Sequence, residues 1–162
     1  MTRERRAPST LVVPKTAPLS KQRLRLWLRL LRATRFVEGE LRERLRKDYD
    51  ATLPRFDVLA ALYRCQDGMT MTELSRFLMV SNGNVTGIVD RLVQEGLVVR
   101  VPDENDRRAT FVRLTPKGVT AFGEMAEAHE GWVDGLLSDI SAKEAAELIT
   151  LLSRFNENKG SR

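Results

Sequence analysis

Val80–Gly96 reads VSNGNVTGIVDRLVQEG. At helical period Val85, Ile88, Val89 and Leu92 fall at i, i+3, i+4 and i+7, one narrow apolar stripe that should face a core. Ser81 or Asn82 supplies the start cap, and Gly96 closes the end in a left-handed conformation, with about four turns between them. The opposite face carries Gly83, Asn84, Thr86, Gly87, Asp90 and Arg91. Two glycines inside a helix each cost roughly 1 kcal/mol relative to alanine. Two readings account for them. In one, the helix presses bare backbone against another surface, and short Ser, Asn and Thr side chains reach phosphates or base edges. In the other, the glycines meet a neighbouring helix of the same core. This stretch alone does not choose between the two.

The elements on either side bear on that choice. Thr70 and Glu73 have capping-box spacing, and Leu74, Phe77 and Leu78 mark a short helix ending near Met79, so the unit from Thr70 to Gln94 has the proportions of a helix-turn-helix. Before it, Thr52 and Pro54 open a helix carrying Phe56, Leu59, Ala60, Leu62 and Tyr63 to about Cys65, and Gln66-Asp67-Gly68 ends it. After Gly96, two β-rich runs, Leu97–Val101 and Thr110–Leu114, flank a polar turn with Pro102, Asp103, Asn105 and Asp106, a hairpin signature. A hairpin directly after a helix-turn-helix is a wing, and this order of elements favours the DNA-contacting reading of the glycine-bearing face.

The remaining segments are helical. From Ser20 to about Asp48, Leu24, Trp27, Leu28, Leu31, Val37, Leu41 and Leu45 recur on helical faces with arginines between them, a helix about 40 Å long at 1.5 Å per residue. Its apolar surface around Leu26–Leu31 exceeds what one small domain covers, which calls for a second subunit. Thr115-Pro116 starts a helix through Phe122, Met125, His129 and Trp132. Ser141 and Glu144 cap a last amphipathic helix with Leu148, Ile149, Leu151, Leu152 and Phe155. The expected fold is mainly α with a small β wing. Residues 53–115 make a winged helix-turn-helix domain, 20–50 and 116–158 make a helical dimerisation layer, and 1–19, with Pro8, Pro14, Pro18 and four basic residues, form a flexible basic tail.

The chain has 162 residues, 42% of them hydrophobic, enough for one well-buried core. Net charge is +5 and the isoelectric point about 9.8, which suits an anionic partner. One cysteine, Cys65, excludes an internal disulfide framework, and no run of 18 apolar residues occurs, so a soluble cytoplasmic protein is expected. No glycine-rich phosphate loop, activated nucleophile or metal-ligand spacing is present, so neither an enzyme nor a metal or cofactor site is expected.

Leu74–Leu78, VTGIVDRLVQEGLV (Val85–Val98) and above all DRRATFVRLTPKG (Asp106–Gly118) resemble the MarR family of winged-helix transcription regulators, over nearly all of residues 20–158. The resemblance implies a homodimer on a pseudo-palindromic operator in double-stranded DNA, with the recognition helix that starts at Ser81 or Asn82 in the major groove. The Asp-x-Arg element at Asp106 and Arg108 looks like the wing, which implies an arginine in the adjacent minor groove. Many members carry a basic residue two positions after the first wing aspartate, where this chain has Asn105. Further, RATRFVEGELRERLR (Arg32–Arg46), LPRFDVLAAL (Leu53–Leu62) and LMVSNGNVTGIVDRL (Leu78–Leu92) look like the branch that controls hydroxycinnamate catabolism, which implies a repressor released by an aromatic acid or its CoA thioester.

The candidate DNA contacts are Ser81, Asn82, Asn84 and Thr86 for base edges and phosphates, Arg91 for phosphate, and Arg107 and Arg108 on the wing with Asp106 orienting the latter. Asp90 would repel phosphate and is expected to pair with a nearby arginine. An effector pocket is expected where the long helices meet the winged domain, lined by Phe56, His129 and Trp132 with Arg32 or Arg35 for an anionic group; each such residue is more often simple core or solvated charge. Cys65 raises a redox-gated alternative, against which stands a packed, inert thiol with no resolving partner. A sequence-indifferent DNA binder is the other alternative.

Overall fold

The computed structural model describes residues 17–102 and 110–157, with the side chains of 155–157 left out. Residues 1–16 of the expected 1–19 tail and the wing tip at 103–109, including Asp106, Arg107 and Arg108, lie outside the described residues, and Leu19, placed in the tail, begins a helix. The chain divides into two units, Met1–Phe36 and Val37–Arg162. The boundary falls within α1 (Leu19–Tyr49). In the first unit α1 exposes Leu24, Leu26, Trp27 and Leu28, each by more than half. Arg23, Arg25, Arg29, Arg32 and Arg35 are exposed on the same stretch.

The second unit is built on α2 (Leu53–Arg64), α3 (Met71–Leu78) and α4 (Asn82–Gln94), followed by a hairpin and then α5 (Pro116–Leu136) and α6 (Ala142–Glu157). Thr52 caps α2 through its side chain, accepting from the Arg55 N–H, with proline in the first turn. The Thr70–Glu73 and Ser141–Glu144 capping boxes both form, so two orphan N–H groups at each helix start find a partner. Thr115 caps α5. Val58, Leu59, Leu62, Leu74, Val85, Val89, Leu92 and Val112 are wholly buried and join α2, α3, α4 and the sheet into one core, which Phe122 and Met125 of α5 complete.

The sheet has three strands in the order β1-β3-β2, all antiparallel. β2 (Val98–Pro102) and β3 (Thr110–Leu114) pair from Val98↔Leu114 to Pro102↔Thr110. The first strand of the hairpin starts one residue later than its composition suggests, because the Leu97 N–H closes the end of α4 by donating to Leu92 O at 2.9 Å. β1 (Met69–Thr70), unexpected, is a two-residue strand that pairs Met69↔Val112 and Thr70↔Phe111. Two side chains differ from expectation. Phe77 is 52% exposed, since an eight-residue helix turns only Met71, Leu74, Ser75 and Leu78 inward. Cys65, expected as a packed thiol, is exposed: it caps the end of α2, where the chain leaves the core.

Candidate nucleic-acid interface

The apolar stripe of α4 behaves as its spacing requires. Val85, Val89 and Leu92 are wholly buried and Ile88 is half-buried. Gly96 ends the helix at φ 72, a left-handed conformation that favours glycine. The opposite face is free. A Cβ added at Gly83 or at Gly87 would meet nothing within 4 Å, which removes the reading in which these glycines accommodate a neighbouring helix of the same chain. Their propensity cost therefore buys no internal packing, and bare backbone is presented outward.

The start of α4 is also open. Ser81 occupies the N-cap position with extended backbone, yet its side chain makes no cap hydrogen bond, and no acidic residue lies in the first turn. The first N–H groups and the positive end of the helix dipole thus remain available to an anion. Asn82, Asn84 and Arg91 are exposed, with no side-chain hydrogen bond or ion pair among the described residues. The Thr86 hydroxyl is exposed but donates to Asn82 O at 2.8 Å, leaving its lone pairs for an incoming donor. Ser81, Asn82, Asn84, Thr86 and Arg91 accordingly share one solvent-facing end and flank of α4.

Asp90, on the same helix, is held by Arg100 of β2, Nη2 to Oδ1 at 2.7 Å. The sequence left this arginine without a number, because the partner lies ten residues on, across the turn out of the helix. The pair cancels the carboxylate's charge on a surface that otherwise carries amides, hydroxyls and Arg91.

Three further contacts, absent from the sequence reading, fix the far end of α4. Arg55 of α2 grips the Glu95 carboxylate with both Nη atoms, Nη1 to Oε1 at 2.6 Å. The Lys117 ammonium donates to Glu95 O at 2.9 Å, and the Thr115 hydroxyl donates to Gly96 O at 2.7 Å. Beside them Gly118 packs so close to Leu97 that a Cβ would overlap the Leu97 carbonyl. The signal in the sequence was the glycine of Thr-Pro-Lys-Gly; what it approaches was not readable. The turn between α3 and α4 carries its own departure, Met79 at φ 55 and 93% exposed, where the conformation favours glycine.

The fold brings two of the candidate effector residues, Phe56 and His129, into contact. Phe56 is buried and His129 stacks on it, centroids 4.5 Å apart. Burial holds the His129 imidazole below its usual range, so it is neutral near pH 7. Trp132 packs edge-on against Tyr49 at 6.1 Å, with the Arg44 guanidinium 6.0 Å from its ring. Arg32 and Arg35 belong to the first unit and are exposed. No group of three or more metal-ligating side chains occurs among the described residues, and none of the described helices is long and apolar enough to cross a membrane.

Against known proteins, the model of the MarR family matches residues 51–110. The multiple antibiotic resistance protein MarR of Salmonella typhimurium is 33% identical over 126 residues, spanning 74% of this chain and 86% of that protein. The transcriptional activatory protein BadR of Rhodopseudomonas palustris is 32% identical over 128 residues, 77% of this chain and 68% of that one. Among solved structures, a mutant MarR from E. coli complexed with operator DNA matches with a TM-score of 0.72 at 29% identity, over 86% of this chain and 99% of the other.

Proposed function

Because the chain belongs to the MarR family of DNA-binding transcriptional regulators, we propose that it acts as a homodimeric repressor on a pseudo-palindromic operator and is released by an aromatic acid of the hydroxycinnamate type or its CoA thioester. The observation that carries DNA contact is the outward face of α4, where Gly83 and Gly87 touch nothing and Ser81 leaves the helix start uncapped. In the major groove that face brings backbone close to DNA. Asn82 and Asn84 then pair with base edges, Ser81 and Arg91 meet phosphates, and Arg108 on the wing enters the adjacent minor groove. A second copy covers the exposed apolar faces of α1 (Leu24, Trp27, Leu28) and α6 (Leu148, Ile149, Leu152). The effector, held at Phe56, His129 and Trp132, favours the form whose two recognition helices no longer match the operator. Coupling of about 1 to 3 kcal/mol is typical, a 5 to 150-fold loss of DNA affinity.

The test is fluorescence anisotropy with DNA from upstream of the gene and its neighbours, at fixed salt, with and without p-coumaroyl-CoA and free p-coumarate. Specific binding relieved by either compound supports the repressor and identifies the effector form. Specific binding indifferent to both removes this effector class, and equal affinity for random DNA leaves a sequence-indifferent binder. The exposure of Cys65 favours a second reading, a redox-gated regulator. A Cys65→Ser variant that keeps its full response to peroxide would exclude it.

A further inference from the structure

A cavity of about 370 Å³ opens between α2 and the first turns of α4. That volume stands near the lower end of ligand pockets, about 300 to 1,000 Å³, and suits a single-ring molecule. Pro54, Leu78, Val85 and Ile88 give it apolar walls. Its polar side chains are Asp57 and Asn84, and among the described residues its lining holds no lysine, arginine or histidine. Asp57 sits at the rim, and no hydrogen bond or ion pair reaches it among the described residues. Desolvation first, and then the negative charge of Glu38, push its carboxyl above the usual carboxylate range.

A ligand carrying a carboxylate would add a further negative charge beside Asp57 and Glu38. A neutral apolar ligand would strip more water from Asp57 and return nothing. An ammonium group offsets both effects, because it screens Glu38 and replaces the lost hydration of Asp57 with a charge-assisted hydrogen bond. We propose that this cavity is a second ligand site, selective for a small apolar primary amine whose ammonium meets Asp57 and whose hydrocarbon lies on Leu78, Val85 and Ile88, and that its occupancy competes with the contact of Asn84 on DNA. Asn84 serves both surfaces: it lines the cavity, and it stands between Gly83 and Gly87 on the open end of α4. The competition rests on the operator-binding role of α4; the ligand site does not.

The site is tested without DNA. Calorimetry on the full chain with phenethylamine, 2-phenylethanol and phenylacetate compares one shape in three charge states, and amide shifts at Leu78, Asn84 and Ile88 locate the binding by NMR. The expected result is saturable binding of phenethylamine at least about tenfold tighter than the alcohol, with no binding of the acid there. Asp57→Asn should remain folded and bring the amine down to the alcohol. Equal affinity for amine and alcohol, a preference that survives Asp57→Asn, or no shift at those amides overturns the site. Operator affinity is then measured alone, which isolates any failure of DNA binding itself, and again with saturating phenethylamine. A several-fold loss in the wild type that Asp57→Asn abolishes is the expected outcome; undiminished affinity overturns the competition.

Discussion

Gly87 and Gly118 are one residue type held for opposite reasons. Gly118 is closed in on, since a Cβ there would overlap the Leu97 carbonyl, whereas Gly87 faces open space. Gly118→Ala should therefore destabilise the fold by about 1 to 3 kcal/mol, read as a lower urea midpoint. Gly87→Ala should do the reverse. It gains up to about 1 kcal/mol of helix propensity, and its methyl group stands on the face proposed to meet DNA, so operator affinity should fall at least about tenfold in anisotropy. Undiminished affinity would mean that this part of α4 does not meet DNA closely. Arg100 makes the complementary case. Its pair with Asp90 is part-exposed, and such pairs contribute under about 1 kcal/mol, so Arg100→Ala should leave stability nearly unchanged. It uncovers a carboxylate on the proposed DNA face, and operator affinity should drop while Asp90→Asn in the same chain recovers part of the loss. A double variant as weak as Arg100→Ala alone would show that Asp90 is not the cause.

Helices α2, α4, α5 and α6 were legible because their caps and stripes are local. Thr52, Thr115 and Ser141 each sit three residues before the N–H they cap, and the stripe of α4 repeats every three or four residues. α3 was legible in extent but not in the fate of Phe77, because an eight-residue helix has too few turns for periodicity to resolve its rim from its core. β1 was invisible: two residues have no period, and they form a strand only because β3 offers an edge. α6 carries the clearest consequence at this level. Leu148, Ile149, Leu151 and Leu152 are exposed by 45 to 65%, a patch that a soluble monomer rarely leaves open. In the proposed homodimer, replacing Leu148 and Leu152 together by aspartate should shift sedimentation equilibrium from dimer to monomer and weaken operator binding, because a single half-site then acts alone. A variant that sediments and binds as the wild type would remove this face of α6 from the proposed dimer interface.

Taken as one cooperative unit, residues 37–157 should show stability that depends on pH through two groups of opposite sign. Burial lowers the His129 pKa, so the folded state holds fewer protons there than the unfolded chain; its contribution is complete above the unfolded value of 6.5 and is lost as pH falls through the folded one. Asp57 runs the other way. Its carboxyl is raised above 3.8 by desolvation and by Glu38, so its ionisation opposes folding near neutrality and that opposition fades as pH falls through the folded value. Between pH 7 and 5.5 the melting temperature should fall more in the wild type than in His129→Phe, which keeps the stack on Phe56 and has no proton to bind. Equal slopes would show that folding does not lower proton binding at His129. The order of the helices, the two principal strands, the inward stripe and the outward small residues of α4 follow from the chain alone, since each depends on neighbours within a few residues. The grip of Arg55 on Glu95 across 40 residues, the pairing of Arg100 with Asp90, the exposure of Cys65 and the cavity between α2 and α4 follow only from the fold. Each brings together atoms whose distance is set by how separate elements pack, and no local period or cap encodes that distance.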